Sequence, residues 1–243
     1  MSDRSGSAVR RDHAVISPAT HVPGPVPGWS GVEHVQLIGP GMGARFAMSL
    51  ARFDEGGRAG PPAAGAERLV YVLEGTLRLT HGGATRPLPA GACAHLPPGA
   101  AHALAAADAA RAVVIDKPYV PVAGVEAGGP ATAVAADVAP TPLLGDPDVL
   151  VRALLREEPA LDLALNLMDF APGAALPMTE VHSMEHGLLV LEGRFVYRLG
   201  DSWYRLGPGD AVWMGPFCPQ WACAYGGPAR YLIYKDWNRD PLS

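Results

Sequence analysis

Apolar runs along this chain are short, rich in β-branched and aromatic residues, and punctuated by Gly and Pro. Leu69–Leu73, Leu188–Leu191, Tyr197–Leu199, Ala211–Met214 and Tyr231–Tyr234 each read as a strand. Glu74-Gly75 and Glu192-Gly193 stand where a tight hairpin needs a residue tolerant of positive φ. The pattern also repeats. LVYVLEG ending at Gly75 returns as GLLVLEG ending at Gly193, 118 positions later. The turn around Gly91 matches the turn around Gly209, and AVVIDK ending at Lys117 matches LIYK ending at Lys235, all at the same offset. Two copies of one β-module follow, over 45–124 and 161–243, each a sandwich or barrel of short antiparallel strands.

The rest of the chain is assigned by its punctuation. Residues 1–44 form an N-terminal arm, disordered to about residue 12 and extended over the Pro-rich His21–Trp29. That stretch is placed to lie across a neighbouring module or subunit. Residues 125–160 form a linker. Within it, Asp146-Pro147 looks like an N-cap followed by Pro at the first helical position, which predicts a short helix to about Leu155.

Composition narrows the class. Hydrophobic residues make up 49% of 243, enough for a real core, and 29 Gly with 25 Pro suit many turns better than a helix bundle. A net charge of −5 argues against a nucleic-acid grip built on phosphate neutralisation. Cys93, Cys218 and Cys223 are an odd number with no framework, so a reducing, cytoplasmic setting is expected. No run is long and apolar enough to suggest a membrane span, and no apolar segment follows Arg4, Arg10 and Arg11 to make a signal peptide.

The chemistry gathers in the second module. Glu180, His182 and His186 fall at even spacing, so on one strand all three share a face. Gln220 lies eleven residues after Gly209 in the matching half. These spacings resemble the two motifs of the cupin superfamily, with Glu180, His182, His186 and Gln220 in its four metal-ligand slots. The resemblance implies an all-β bicupin, two tandem double-stranded β-helix (jelly-roll) barrels. One carboxylate, two imidazoles and an amide oxygen are a fairly hard donor set, suited to Mn²⁺ or Fe²⁺. A bound divalent ion would leave the site at +1, favouring an anionic substrate. The first module lacks ligands in the equivalent slots near Pro62, Ala64 and Arg68, and retains only His102, read as a hydrogen-bonded core histidine.

The strings EVHSMEH, CPQW and YKDWNR, with DHAVISPATHVPGPVPGW near the N-terminus, are similar to the (S)-ureidoglycine aminohydrolase family. The resemblance extends over nearly the whole chain after residue 12. It implies Mn²⁺-dependent hydrolysis of (S)-ureidoglycine to (S)-ureidoglycolate and ammonia in purine (allantoin) catabolism, in a homo-oligomer. It assigns substrate contacts to Tyr231 and Lys235 on the last strand. A carboxylate of the linker is also implied, for which Glu126 is the nearest candidate. Four residues apart, Tyr231 and Lys235 share one strand face, and Lys235 would anchor the substrate carboxylate. Trp213, Trp221 and Trp237 read as core or interface aromatics, Cys218 and Cys223 as packing residues, and Glu185 as solvent-facing or salt-bridged. The competing readings are an Fe²⁺-dependent bicupin dioxygenase and a non-catalytic small-molecule-binding cupin.

Overall fold

The computed structural model describes residues 6–237 and 239. Among them the chain is almost entirely β. Helix is confined to the 3₁₀ turns Pro18–Thr20, Pro40–Met42 and Ala135–Asp137, and no helix is long and apolar enough to cross a membrane. A nine-stranded sheet wraps the first module, with Ala66–Glu74 and Ala110–Pro118 side by side near its centre. An eight-stranded sheet places His186–Glu192 and Ala229–Asp236 at the same position in the second module. The three strands Phe195–Leu199, Ser202–Leu206 and Gln220–Ala224 close that module's other wall.

Side-chain alternation sorts the apolar residues into three cores. Val70, Val72, Ala112 and Val114 point into the first barrel. Leu188, Val190, Tyr231 and Ile233 point into the second. The opposite faces of the same strands, with Leu69, Tyr71, Val113, Ile115, Leu189, Leu232 and Tyr234, meet in a seam between the barrels. The seam is close. A methyl at Gly187 would stand 2.7 Å from the Phe46 ring, so only glycine lets the two walls approach this far.

Each barrel borrows an edge strand. The arm contributes His13–Ile16 to the second barrel, where it pairs with Ala211–Met214, and the linker contributes Ala131–Val134 to the first. The arm is therefore ordered from residue 6 rather than from residue 12, because backbone pairing along the open edge holds it. Residues 1–5 of the stretch expected to be disordered lie outside the described residues.

Two further expectations change. The predicted helix after Asp146 is instead the strand Asp146–Ala153, paired with Leu163–Phe170 and joined to Thr141–Leu143 by a turn with Leu144 and Gly145 at positive φ. Val149 buries its side chain from that strand, and sheet pairing overrides the capping signal. The last strands of the two modules also align one residue out of the sequence offset. Ala112 pairs with Val72, whereas Tyr231 pairs with Val190, the repeat partner of Val72. The turn before the second of these strands spans 225–228, one residue more than the 107–109 turn of the first module. The structural counterpart of Lys235 is thus Asp116, and that of Tyr231 is Ala112. Lys117, which looked like the counterpart of Lys235, faces the seam.

The seam holds a polar pocket. Lys117 Nζ binds Asp162 Oδ2 at 2.6 Å, and His95 Nε2 meets Glu67 Oε2 at 2.8 Å. Its echo in the second module is Glu185, the repeat partner of Glu67, which accepts from Trp213 Nε1 at 3.0 Å and from the Arg45 amide at 2.9 Å. Glu185 is consequently buried rather than solvent-facing, because the face opposite the ligands is the seam. The salt-bridged alternative holds, through Arg45 at 3.7 Å. Burial, and then the Asp162 carboxylate, push Glu67 up to about 9. Burial pulls His95 down to about 4. Lys117 therefore pairs with a charged Asp162, and Glu67 holds its proton.

A carboxyl whose folded value is raised binds its proton on folding. Its contribution to stability is complete below the unfolded value near 4.5 and is lost as pH rises through about 9. Glu67→Gln keeps a donor for His95 but removes this titration. Urea unfolding of the native protein should lose stability between pH 6 and 9, and the variant should lose distinctly less.

Candidate metal centre

Three of the four candidate ligands converge at the mouth of the second barrel. His186 opens the strand His186–Glu192 and points inward with Leu188 and Val190. Gln220 opens the strand Gln220–Ala224 on the opposite wall. Its side-chain amide lies 2.8 Å from His182 Nε2 and 3.4 Å from His186 Nδ1, and the two imidazole centroids are 4.4 Å apart. Glu180 enters through the backbone. It exchanges both hydrogen bonds with Gln220, at 2.8 and 2.9 Å, so the two side chains leave the sheet on the same side. Glu180, His182 and His186 are not carried on one continuous strand, as their even spacing implied. Residues 181–185 form a loop, and His182 is steadied there by Met184 O at 3.3 Å and by the Phe217 amide on its own carbonyl at 2.8 Å. Phe217 makes that bond at φ 61°, a conformation costly for a non-glycine residue.

These groups fit a divalent ion. His186 Nε2 is buried with no hydrogen-bond partner, which is costly unless a further group binds it. Burial lowers both imidazoles below their ordinary value, His186 strongly, so they stand neutral with a lone pair to donate. Ligands about 2.1 Å from one ion lie roughly 3 Å apart in neighbouring octahedral positions. The 2.8 Å separation of His182 and Gln220 matches this. The amide presents its nitrogen to the histidines, and a half-turn exchanges it for the oxygen.

Lys235 and Tyr231 line the same interior. Lys235 pairs across the sheet with His186, and its ammonium is pulled down by burial while Glu180 and then Glu157 hold it up. Tyr231 is buried against Phe170 and Phe195, its ring centroid 5.4 and 5.3 Å from theirs. Burial, then Tyr197 and Glu180, push its hydroxyl well above the usual range. Both face the ligand cluster, whereas Glu126 is exposed in the linker. The linker carboxylate within electrostatic reach of Lys235 is Glu157.

The cupin domain family matches this chain twice, over residues 49–116 and 166–233. A protein of Oryza sativa subsp. japonica named probable (S)-ureidoglycine aminohydrolase is 40% identical over 240 residues, covering 97% of this chain and 76% of its own. An (S)-ureidoglycine aminohydrolase of Arabidopsis thaliana is 40% identical over 242 residues, covering 97% and 79%. This chain belongs to the (S)-ureidoglycine aminohydrolase family of cupins. The crystal structure of protein Ylba from E. coli superposes with a TM-score of 0.86 at 26% identity, covering 98% of this chain and 96% of that one. The bicupin architecture of the family is thus present in full.

Within this family member the first barrel supplies an internal comparison. Arg68 occupies the position of His186, and Asp116 that of Lys235. The guanidinium is buried, grips Asp116 through two bonds of 2.7 Å, donates to Gly60 O and lies 5.2 Å from the Trp29 ring. His102, opposite Gln220, is tied to Ala100 O at 2.7 Å, as a hydrogen-bonded core histidine would be. A fixed cation and its carboxylate therefore fill the place where the second barrel gathers neutral ligands.

Tyr197 was not singled out from the sequence for any role at the site. It is buried between the walls, and its hydroxyl lies 3.3 Å from the far end of the Gln220 amide, donating to Oε1 in this orientation and accepting from the amide nitrogen after the half-turn, beside Met214 Sδ at 3.6 Å. The signal was available only through pairing, since Tyr197 stands two residues from Leu199, the cross-strand partner of Gln220. Tyr197→Phe leaves that amide without its partner. Stability should fall by about 1 kcal/mol in urea unfolding. Divalent-metal affinity, read by isothermal titration, should fall roughly 10- to 100-fold.

Proposed function

We propose that this chain is an (S)-ureidoglycine aminohydrolase, releasing ammonia from (S)-ureidoglycine to give (S)-ureidoglycolate in purine (allantoin) catabolism, with Mn²⁺ held by Glu180, His182, His186 and Gln220. The observation that carries this reading is the convergence of His182, His186 and Gln220 in a chain 40% identical to two curated members of the family. The oxygen-and-imidazole donor set, free of thiolate, favours Mn²⁺ over a zinc-type site. When bound, the ion would supply a Lewis acid and a site that orients water.

The chain's own groups do the rest. The ammonium of Lys235 meets the substrate carboxylate, since it is the cation brought to the interior face beside His186. Tyr231, immobilised between Phe170 and Phe195, presents its hydroxyl from the same strand face and fixes which side of the substrate carbon lies open. Burial keeps that hydroxyl protonated, so it acts as a hydrogen-bond donor. Glu157, within electrostatic reach of Lys235, takes the linker role first sought at Glu126. The nitrogen leaves as ammonia and a hydroxyl takes its place on the same carbon, preserving the S configuration.

A cytoplasmic setting belongs to the same reading, supported by three free thiols. So does a homo-oligomer, for which exposed Met178, Val181 and Phe217 offer apolar surface.

The test is to incubate Mn²⁺-loaded protein with freshly generated ureidoglycine while following ammonia and product chirality. His182→Ala should lose both bound Mn²⁺ and ammonia release. Lys235→Met should keep its Mn²⁺ but lose roughly 10- to 150-fold in kcat/KM, the value of one charge-assisted hydrogen bond. Full activity in His182→Ala would refute the assignment.

A further inference from the structure

The N-terminal arm meets the second barrel at a cluster outside the candidate metal centre. Strand His13–Ile16 pairs with Ala211–Met214, bringing His13 opposite Met214. Asp12 O accepts from the Gly215 amide at 2.8 Å, and the chain then turns so that the Cys218 amide donates to Gly215 O at 3.2 Å. The turn carries Cys218 back to the arm. One ligand atom each from Asp12, His13 and Cys218 lies within 4.8 Å of the others. His13 and Cys218 are buried, while the Asp12 side chain is 45% exposed and leaves one side open to solvent.

We propose that Asp12, His13 and Cys218 form a second metal site, selective for a borderline-soft divalent ion of the Zn²⁺ type and separate from the barrel centre.

The donor set is the first argument. Thiolate, imidazole and carboxylate with one position left to water is a zinc-type sphere, unlike the thiolate-free set of the barrel. The second is the support behind the imidazole. His13 Nδ1 is the atom 2.9 Å from Asp12 Oδ1, and Tyr204 lies 2.8 Å from Nε2, so with an ion on Nδ1 the ring proton would sit on Nε2 and be held by the Tyr204 oxygen. The third is charge. A divalent ion takes the place of the Cys218 thiol proton, which passes to solvent as the thiolate–metal bond forms. The fourth is that the cluster is no by-product of the barrel. The repeat partners of Cys218 and Tyr204 are Ala100 and Arg86, and the first barrel has no such group.

Cobalt is the probe, because a thiolate ligand gives Co²⁺ an intense near-ultraviolet charge-transfer absorption that oxygen and imidazole ligands do not. The full-length protein titrated with Co²⁺ should show this band. His182→Ala, which disables the barrel centre, should keep it, so loss of the barrel assignment would leave this one standing. Cys218→Ser, nearly isosteric, should abolish it. Asp12→Asn, on a half-exposed side chain, should weaken Co²⁺ binding at least tenfold by the same band. Tyr204→Phe should weaken it roughly 10- to 100-fold. No band in the native protein, or a band that survives Cys218→Ser, overturns the proposal.

Discussion

The contact between Phe46 and the bare backbone of Gly187 fixes the two barrels at a spacing that no side chain at 187 would allow. Everything on strand His186–Glu192 follows from it through alternation. With Gly187 against the first barrel, His186 must face the interior of the second and Glu185 must face the seam. One residue forward or back would exchange these faces, placing a neutral imidazole in the seam and a carboxylate among the interior apolar residues. The seam thus sets the register on which the candidate ligands depend. Trp213 and Arg45 reinforce it, since their bonds to Glu185 satisfy a carboxylate that would otherwise be buried alone.

The two barrels use one frame for opposite electrostatic ends. In the first, the buried Arg68 and the partly exposed Asp116 neutralise each other, with Trp29 of the arm laid over the guanidinium. The guanidinium is held there by its complementary bonds and has no lone pair for an ion, and it engages both Asp116 oxygens, although His102 Nε2 is buried without a hydrogen-bond partner. In the second, the same two positions are His186 and Lys235. The histidine is neutral and keeps an unpartnered nitrogen, and the lysine has its opposing carboxylates at Glu180 and Glu157. Replacing a self-contained pair by an unpaired imidazole and a lysine leaves unsatisfied bonding capacity inside the barrel. An ion and an anionic substrate are the partners that this capacity fits.

Much of this was legible in the sequence, and the parts that were not share a cause. The repeat, the β-rich modules and the ligand spacings are local patterns and survive folding. The alignment of Lys117 with Lys235 does not, because one extra residue in the 225–228 turn shifts the strand and flips every side chain on it. Glu185 shows the complementary difficulty. Its alternation away from the ligands was readable, but whether that face met water or protein depended on a distant module. Asp146-Pro147 carried a sound helix-start signal that lost to an open sheet edge. That Glu157, and not the exposed Glu126, lies within electrostatic reach of Lys235 depends on how the linker returns to the last strand.

The arm gives these local facts a common consequence. Its strand adds backbone bonds to the edge Ala211–Met214, and Asp12 ties down Gly215 at the start of the loop that ends in Gln220. From the same loop, Phe217 donates its amide to the carbonyl of His182. The loop between the arm and the barrel therefore carries Gln220 at one end and braces His182 in its middle, while His186 is fixed independently by the seam. Two of the candidate ligands are positioned by arm and loop, and a third by barrel packing. The strained φ of Phe217 persists because it is fixed from both sides, by the Cys218–Gly215 turn and by the bond to His182. A residue far from the candidate ligands in sequence, Asp12 of the arm, is in this way part of the geometry that brings His182 and Gln220 together.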